Sequence, residues 1–198
     1  YGVDIATDSL YSINKTTAQS TLIGNTGASL NSLVFDATGN LYAANNSLYR
    51  LNVSTGAASL VGNGGSSYSS AGDLAFVGGQ LFLSSSTGDN LTRLDTGTGA
   101  GQNIGNIGFS AVYGLATNDN VTLYGMTGTT VLGINTTTGA GTALVNYGGQ
   151  GLGAAWGAAF VNEATPPVPE PETYAMMIAG LGMLGLMAKR RKKVVKVA

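Results

Sequence analysis

The chemistry open to this chain rests on few side chains. Histidine and cysteine are both absent. That removes His-based metal sites, Ser-His-Asp triads, thiolate nucleophiles and disulfides. Before residue 163 the carboxylates are Asp4, Asp8, Asp36, Asp73, Asp89, Asp95 and Asp119. Two of them at a shared mouth would be the one acid–base arrangement available. Asp36 sits in Asp36-Ala37-Thr38-Gly39-Asn40, and Asp95 opens Asp95-Thr96-Gly97-Thr98-Gly99. Both are turn contexts, in which Asp accepts backbone hydrogen bonds. Asp4 and Asp8 are less regular and could lie near a mouth. Calcium on Asp89-Asn90 or Asn118-Asp119-Asn120 would need alternating acidic ligands that neither loop supplies. Gly148-Gly149-Gln150-Gly151-Leu152-Gly153 lacks the strand-to-helix setting of a phosphate loop. No catalytic residue, metal or cofactor is expected. Arg50 and Arg93 are lone cations at matching positions, suited to an acidic sugar or to a solvated strand face. Tyr11 and Tyr49 suit either packing or carbohydrate stacking. Trp156, the single tryptophan, is expected in the core.

The elements that would position these residues repeat about every ~40 residues. Leu10-Tyr11-Ser12-Ile13-Asn14, Leu48-Tyr49-Arg50-Leu51-Asn52, Leu91-Thr92-Arg93-Leu94-Asp95 and Val131-Leu132-Gly133-Ile134-Asn135 start 38, 43 and 40 residues apart. Each is an alternating strand followed by Asn or Asp and then, three of four times, Thr-Gly. The Asx side chain opens a turn and the Gly takes a left-handed position. Ala18 replaces that Gly in the first unit, which predicts a strained turn. Tyr1, Tyr42, Phe82 and Tyr124 mark a second repeating strand. Leu33-Val34-Phe35, Leu74-Ala75-Phe76, Gly114-Leu115-Ala116 and Ala158-Ala159-Phe160 mark a third. Thr21-Leu22-Ile23-Gly24 and Ser59-Leu60-Val61-Gly62 mark a fourth.

Four short strands per unit predict an all-β fold, a β-propeller of four blades with four antiparallel strands each, over residues 1–163. The chain opens on a blade's second strand, and Gly153 to Val161 reads as an inner strand without a follower. The end would thus supply the strand that the beginning lacks. An open array, a missing N-terminal stretch and a pairing of two chains are the alternatives. The unit pattern resembles propellers of the quinoprotein and NHL-like kind, which bears on fold and not on activity.

Charged residues are 10% of the chain, against ~25% in an average protein. The body holds three cations (Lys15, Arg50, Arg93) against its seven carboxylates. Such a weakly acidic body has no footprint for nucleic acid. Its surface polarity must come from Ser, Thr, Asn and Gly. The chain starts at Tyr1, which fits a secretory leader already removed.

Past residue 163 the composition changes. All four prolines (Pro166, Pro167, Pro169, Pro171) fall in one stretch, so 164–173 reads as a stiff extended linker. Residues 174–188 are uncharged, ~22 Å of helix at ~1.5 Å per residue. A full membrane span takes ~20 residues. Tyr174 at one end and Lys189, Arg190 and Arg191 at the other would anchor the shorter helix at the interfaces. The basic segment 189–198 places the C-terminus in the cytoplasm and the body outside it.

Val168-Pro169-Glu170-Pro171, the apolar run from Tyr174 and the Lys/Arg cluster together resemble a PEP-CTERM sorting signal. The resemblance covers about residues 166–193. It implies a Gram-negative secreted protein handled by an exosortase, a membrane transpeptidase-like enzyme thought to cut near Pro-Glu-Pro. It also implies a setting of cell surface, exopolysaccharide or biofilm. The functional expectation is a non-enzymatic binding or structural protein, anchored in lipid through 174–188, with polysaccharide among its candidate partners. It would sit in the inner membrane facing the periplasm, or at the cell surface after processing. The alternatives are an accessory subunit of a membrane complex held by an uncut helix, and an enzyme with carboxylates at the propeller mouth.

Overall fold

A computed structural model describes residues 1–160. The linker 164–173, the membrane segment 174–188 and the basic tail lie outside the described residues. The described chain is all-β, with four antiparallel meanders in a propeller-like arrangement. Blade 1 contains β1 (Gly2–Asp4), β2 (Ser9–Ile13) and β3 (Ser20–Asn25). Blade 2 contains β4 (Ser32–Phe35), β5 (Leu41–Ala44), β6 (Leu48–Leu51) and β7 (Ala58–Gly62). Blade 3 contains β8 (Ser70–Val77), β9 (Gln80–Ser85), β10 (Asn90–Leu94) and β11 (Gly101–Asn106). Blade 4 contains β12 (Val112–Ala116), β13 (Leu123–Thr127), β14 (Thr130–Ile134) and β15 (Gly141–Asn146).

The pleat explains why the middle strands are apolar on both faces. Leu41 and Ala43 of β5 face the first interface, while Tyr42 and Ala44 face the second. In β9, Leu81 and Leu83 face blade 2 and Phe82 faces blade 4. Alternate residues of a strand thus serve two cores, and burying each Leu or Phe among them contributes ~1.5–3 kcal/mol. The last two strands of every blade shift register once, at Leu10/Tyr11, Leu48/Tyr49, Leu91/Thr92 and Val131/Leu132. The shift turns the outer strand away from the blade plane.

The Asx turns form as the repeats predict. Asn52 Oδ1 accepts the N–H of Ser54 at 2.8 Å and of Thr55 at 3.1 Å. Asn14, Asp95 and Asn135 accept the matching pairs. Gly56, Gly99 and Gly139 follow at φ of 80, 72 and 80°, and Ala18 is forced to 57°.

Each turn glycine also meets a glycine of the preceding blade's outer strand. A Cβ at Gly56 would lie 2.6 Å from the Gly24 oxygen, and one at Gly139 would lie 2.5 Å from the Gly105 oxygen. One at Gly62 would lie 2.8 Å from the Thr98 oxygen. These distances are below any real Cβ contact, so each seam needs glycine on both sides. The Tyr68 hydroxyl donates to Gly99 O at 3.0 Å and reaches Gly62 O at 3.4 Å across the second seam. Burial pushes that phenol up to about 12.

The fourth seam departs from the pattern. Val145 stands where Gly24, Gly62 and Gly105 stand, and Ala18 where the turn glycines stand. Val145 is 55% exposed and Leu144 is 56% exposed, whereas the equivalent Ile23, Val61 and Ile104 pack against the next blade's core. Ile13 is 46% exposed, whereas Leu51, Leu94 and Ile134 at its position are buried.

Two expectations are corrected. Blade 1 has three strands, because Gly153 to Phe160 forms no strand among the described residues. The segment is mostly Gly and Ala, which are poor strand formers with little side chain to pack. It still runs beside blade 4 at the place of a next inner strand. Phe160 meets Tyr124 at 5.8 Å, as Phe76 meets Tyr42 at 5.8 Å and Phe35 meets Tyr1 at 5.3 Å. Trp156 is not in the core: it is 73% exposed and lies against Tyr113.

The seams set a mutational contrast. Gly99→Ala should destabilise the body by more than ~2 kcal/mol, because backbone blocks the new Cβ. Gly39→Ala, at φ 87° with open space around it, should cost only ~1 kcal/mol. Ala18→Gly should stabilise by ~0.5–1 kcal/mol through relief of its left-handed φ. Urea denaturation of the three variants checks the order.

Candidate functional site

The sorting residues Val168, Pro169, Glu170 and Pro171, and the anchor residues Tyr174, Lys189, Arg190 and Arg191, lie outside the described residues. Among the described residues no helix is long and apolar enough to cross a membrane. No group of three or more acidic ligands is found there either.

Four of the carboxylates close turns. Asp119 Oδ1 accepts the N–H of Thr122 at 2.7 Å and of Val121 at 2.9 Å, which holds its carboxyl down at about 2. The Thr7 hydroxyl and then the Ala6 N–H lower Asp4, and Thr98 lowers Asp95. Burial raises Asp36, but bonds from Asn40 and Thr38 outweigh it and leave it lowered. Arg50 donates to Asn40 and lies over the Tyr42 ring at 5.9 Å. Arg93 donates to Gln80 at 3.3 Å and to Gln102. Both cations are held by neutral amides of their own blade.

One acid has a different role. Asp73 on β8 is only 8% exposed. Its Oδ2 accepts the N–H of Leu115 at 3.0 Å and of Ala158 at 3.3 Å. It therefore ties blade 3, blade 4 and residues 153–160 together. Its signal in the sequence was position: it directly precedes the inner-strand triplet Leu74-Ala75-Phe76, away from any Asx turn.

Beside this junction, between blades 3 and 4, is a cavity of about 210 Å³. Ser84, Ser85 and Ser86 at the end of β9 form one wall, with Asp89 beside them. Phe109, Ala111 and Tyr113 form the other. Ala111 is held at φ 54°, a left-handed conformation that costs a residue with a Cβ ~1–2 kcal/mol. Ser85 Oγ accepts the N–H of Ser69 and of Thr87, each at 3.2 Å. Ser84 is 1% exposed, and its Oγ has no hydrogen-bond partner. By the β9 alternation it faces blade 4 with Phe82, packed out of reach of solvent. Tyr113 also carries Trp156, which does not line the cavity: the two rings stack with centroids 5.0 Å apart and planes at 27°. Nothing in the repeat pattern marks Ser84, since its role depends on the neighbouring blade.

Comparison with known proteins bears on both parts of the chain. The PEP-CTERM protein-sorting motif matches residues 167–192, so the chain carries that motif at its C-terminus. It implies processing by an exosortase and sorting as a membrane-anchored or cell-surface protein. No curated protein matches the chain. Among solved structures, the body is similar to a protein of unknown function from Bacteroides thetaiotaomicron, with 15% identity and a TM-score of 0.56 over 69% of this chain and 42% of that one. It is similar to the nidogen/laminin complex, with 15% identity and a TM-score of 0.56 over 74% and 60%. It is also similar to a putative gluconolactonase, with 15% identity and a TM-score of 0.54 over 73% and 58%. The chain spans about half the length of these structures. At this identity they establish the propeller likeness of the body.

The turn carboxylates predict the acid response. Asp119 has a folded pKa of about 2, below its ordinary 3.8. Its contribution is therefore present above pH 3.8 and lost as pH falls toward about 2. Asp4, Asp36 and Asp95 shift the same way. Urea midpoints should hold through neutral pH, where no histidine titrates, and fall below pH 3.8. Asp119→Asn should flatten part of that fall.

Proposed function

We propose that this chain is a non-enzymatic binding or structural propeller, displayed outside the cytoplasm in a cell-surface or exopolysaccharide matrix. The observation that carries the reading is the sorting motif at 167–192 following a propeller-like body. The order implies a cargo and its address: the basic end stays inside, and the body is exported. The chemistry of the body supports a binding role. It has neither His nor Cys, its turn carboxylates are engaged by backbone N–H groups, and its surface offers hydroxyls and amides. Lipid through 174–188 and an exosortase are the partners of the tail.

Intact-mass analysis of protein from native membranes and medium tests the reading. The expected product ends near residue 172, close to Pro169-Glu170-Pro171, and is released from the inner membrane. The double variant Pro169→Ala, Pro171→Ala should stay full-length and membrane-bound. A wild-type chain that remains full-length and co-purifies with a fixed set of membrane proteins would overturn sorting in favour of a complex subunit. A hydrolase or lyase activity of the purified chain lost in Asp89→Asn would overturn the non-enzymatic assignment.

A further inference from the structure

We infer that blade 4 is a contact surface between two copies of this chain, joined edge to edge along β15. The inference goes beyond the reading of the body as a binding or structural module, and it does not depend on how the tail is processed. It starts from an uncovered face. In blades 1, 2 and 3 the outer strand packs against the next blade's core through Ile23, Val61 and Ile104. In blade 4 the equivalent side chains stay open. Val131 is only partly buried, whereas Leu10, Leu48 and Leu91 at its position are fully buried. Among the described outer strands, β15 alone exposes two adjacent large apolar residues, Leu144 and Val145.

Val145 decides what does not cover this face. It stands where the other outer strands have glycine. A Cβ at Gly24, Gly62 or Gly105 would lie 2.1, 2.8 or 2.1 Å from the oxygen of Thr55, Thr98 or Thr138 in the next blade's turn. Packed backbone does not yield by that much, so valine here bars a further blade from docking in the seam geometry. That holds for blade 1 of the same chain, for blade 1 of a second copy and for any blade built on the same turn. The contact left to β15 is its free edge. β15 pairs only with β14, so along one side of Gly141–Asn146 the backbone N–H and C=O groups are open to another strand.

Charge identifies the partner. The body's seven carboxylates and three cations all fall at or before Asp119, and residues 120–162 contain no Asp, Glu, Lys or Arg. The outer strands of blades 2 and 3 are guarded: Arg50 lies opposite Ser59, and Arg93 lies opposite Gln102. Charges beside an edge oppose the addition of a strand. In blade 4 the matching residue is Gly133, opposite Thr142. A two-fold contact sets a patch against the same patch, so a charge near the axis would meet its like, which is unfavourable. A charge-free surface escapes that repulsion, whereas a charged partner would find no counter-charge on it. Antiparallel pairing of β15 with its own copy makes one continuous sheet. A two-fold axis normal to that sheet keeps each face on its own side, so the Leu144 side chains of the two copies fall on the face that no blade covers.

Sedimentation equilibrium of the full chain in density-matched detergent micelles tests the contact. The wild type should form a reversible dimer. Val145→Lys, which places a charge at the edge, should raise the half-dissociation concentration by about tenfold or more. Leu60→Lys, on the exposed side of β7, should leave it unchanged. The chain has no cysteine, so a single introduced thiol can link only to another copy. Leu144→Cys should give a disulfide-linked dimer under air oxidation, and Leu60→Cys should not. Linking reports proximity whatever the lysine does to folding. A monomeric wild type overturns the inference. So does a dimer that Val145→Lys fails to weaken, which would assign the association to residues 174–188. Equal linking of Leu144→Cys and Leu60→Cys overturns it as well, because it marks random collision.

Discussion

The body depends on how closely its blades can approach. At three seams an outer-strand glycine faces a turn glycine, and any Cβ there would strike backbone. Backbone is stiff, so the seam tolerates no repacking of the kind a side-chain contact allows. Hydrophobic cores between the blades supply the free energy, but they would accept many side chains of suitable volume. The glycine pairs are less forgiving and set the spacing at which those cores fill. A left-handed φ at the turn and a missing Cβ at the strand are therefore one requirement seen twice. Tyr68 shows the same economy: its hydroxyl bonds both carbonyls of the second seam, and its ring fills the core beneath it.

The fourth seam shows what happens without that requirement. Val145 and Ala18 both carry a Cβ, so blade 4 and blade 1 cannot meet as the other blades do. The apolar groups that would line such an interface, Leu144 and Ile13, are correspondingly exposed. Fastening at this end passes to the centre of the arrangement. There Asp73 accepts from Ala158, and Phe160 continues the aromatic series onto Tyr124. A buried carboxylate is an expensive fastener unless its oxygens are satisfied. Asp73 meets that condition by accepting three N–H groups, including that of Leu74 at 2.9 Å.

Much of this was legible in the sequence because repeats impose local rules. Asn14, Asn52, Asp95 and Asn135 announce their turns through side chains that bond two residues ahead. The strain at Ala18 followed from one missing glycine. The apolar alternation from Leu48 to Leu51 marked a strand that serves two faces. What was not legible depends on contacts between distant residues. Trp156 resembles a core residue by type, yet its neighbours Ala155 and Gly157 offer no bulk to enclose it. Gly153 to Phe160 keeps the spacing of an inner strand but lacks the side chains that hold one. Ser84 stands in a run of serines that gives no sign of which one is buried against blade 4, since that depends on where blade 4 lies. Asp73 counted as one acid among seven until its acceptors were placed.

These non-local features share one segment. Residues 153–160 supply Trp156 to Tyr113 and Ala158 to Asp73, and each hold is modest. A stacked aromatic pair contributes ~0.5–1.5 kcal/mol beyond its buried area, and a hydrogen bond to a charged group ~1.5–3 kcal/mol. Without strand pairing, the segment's docking is only as strong as those holds and the Phe160 contact.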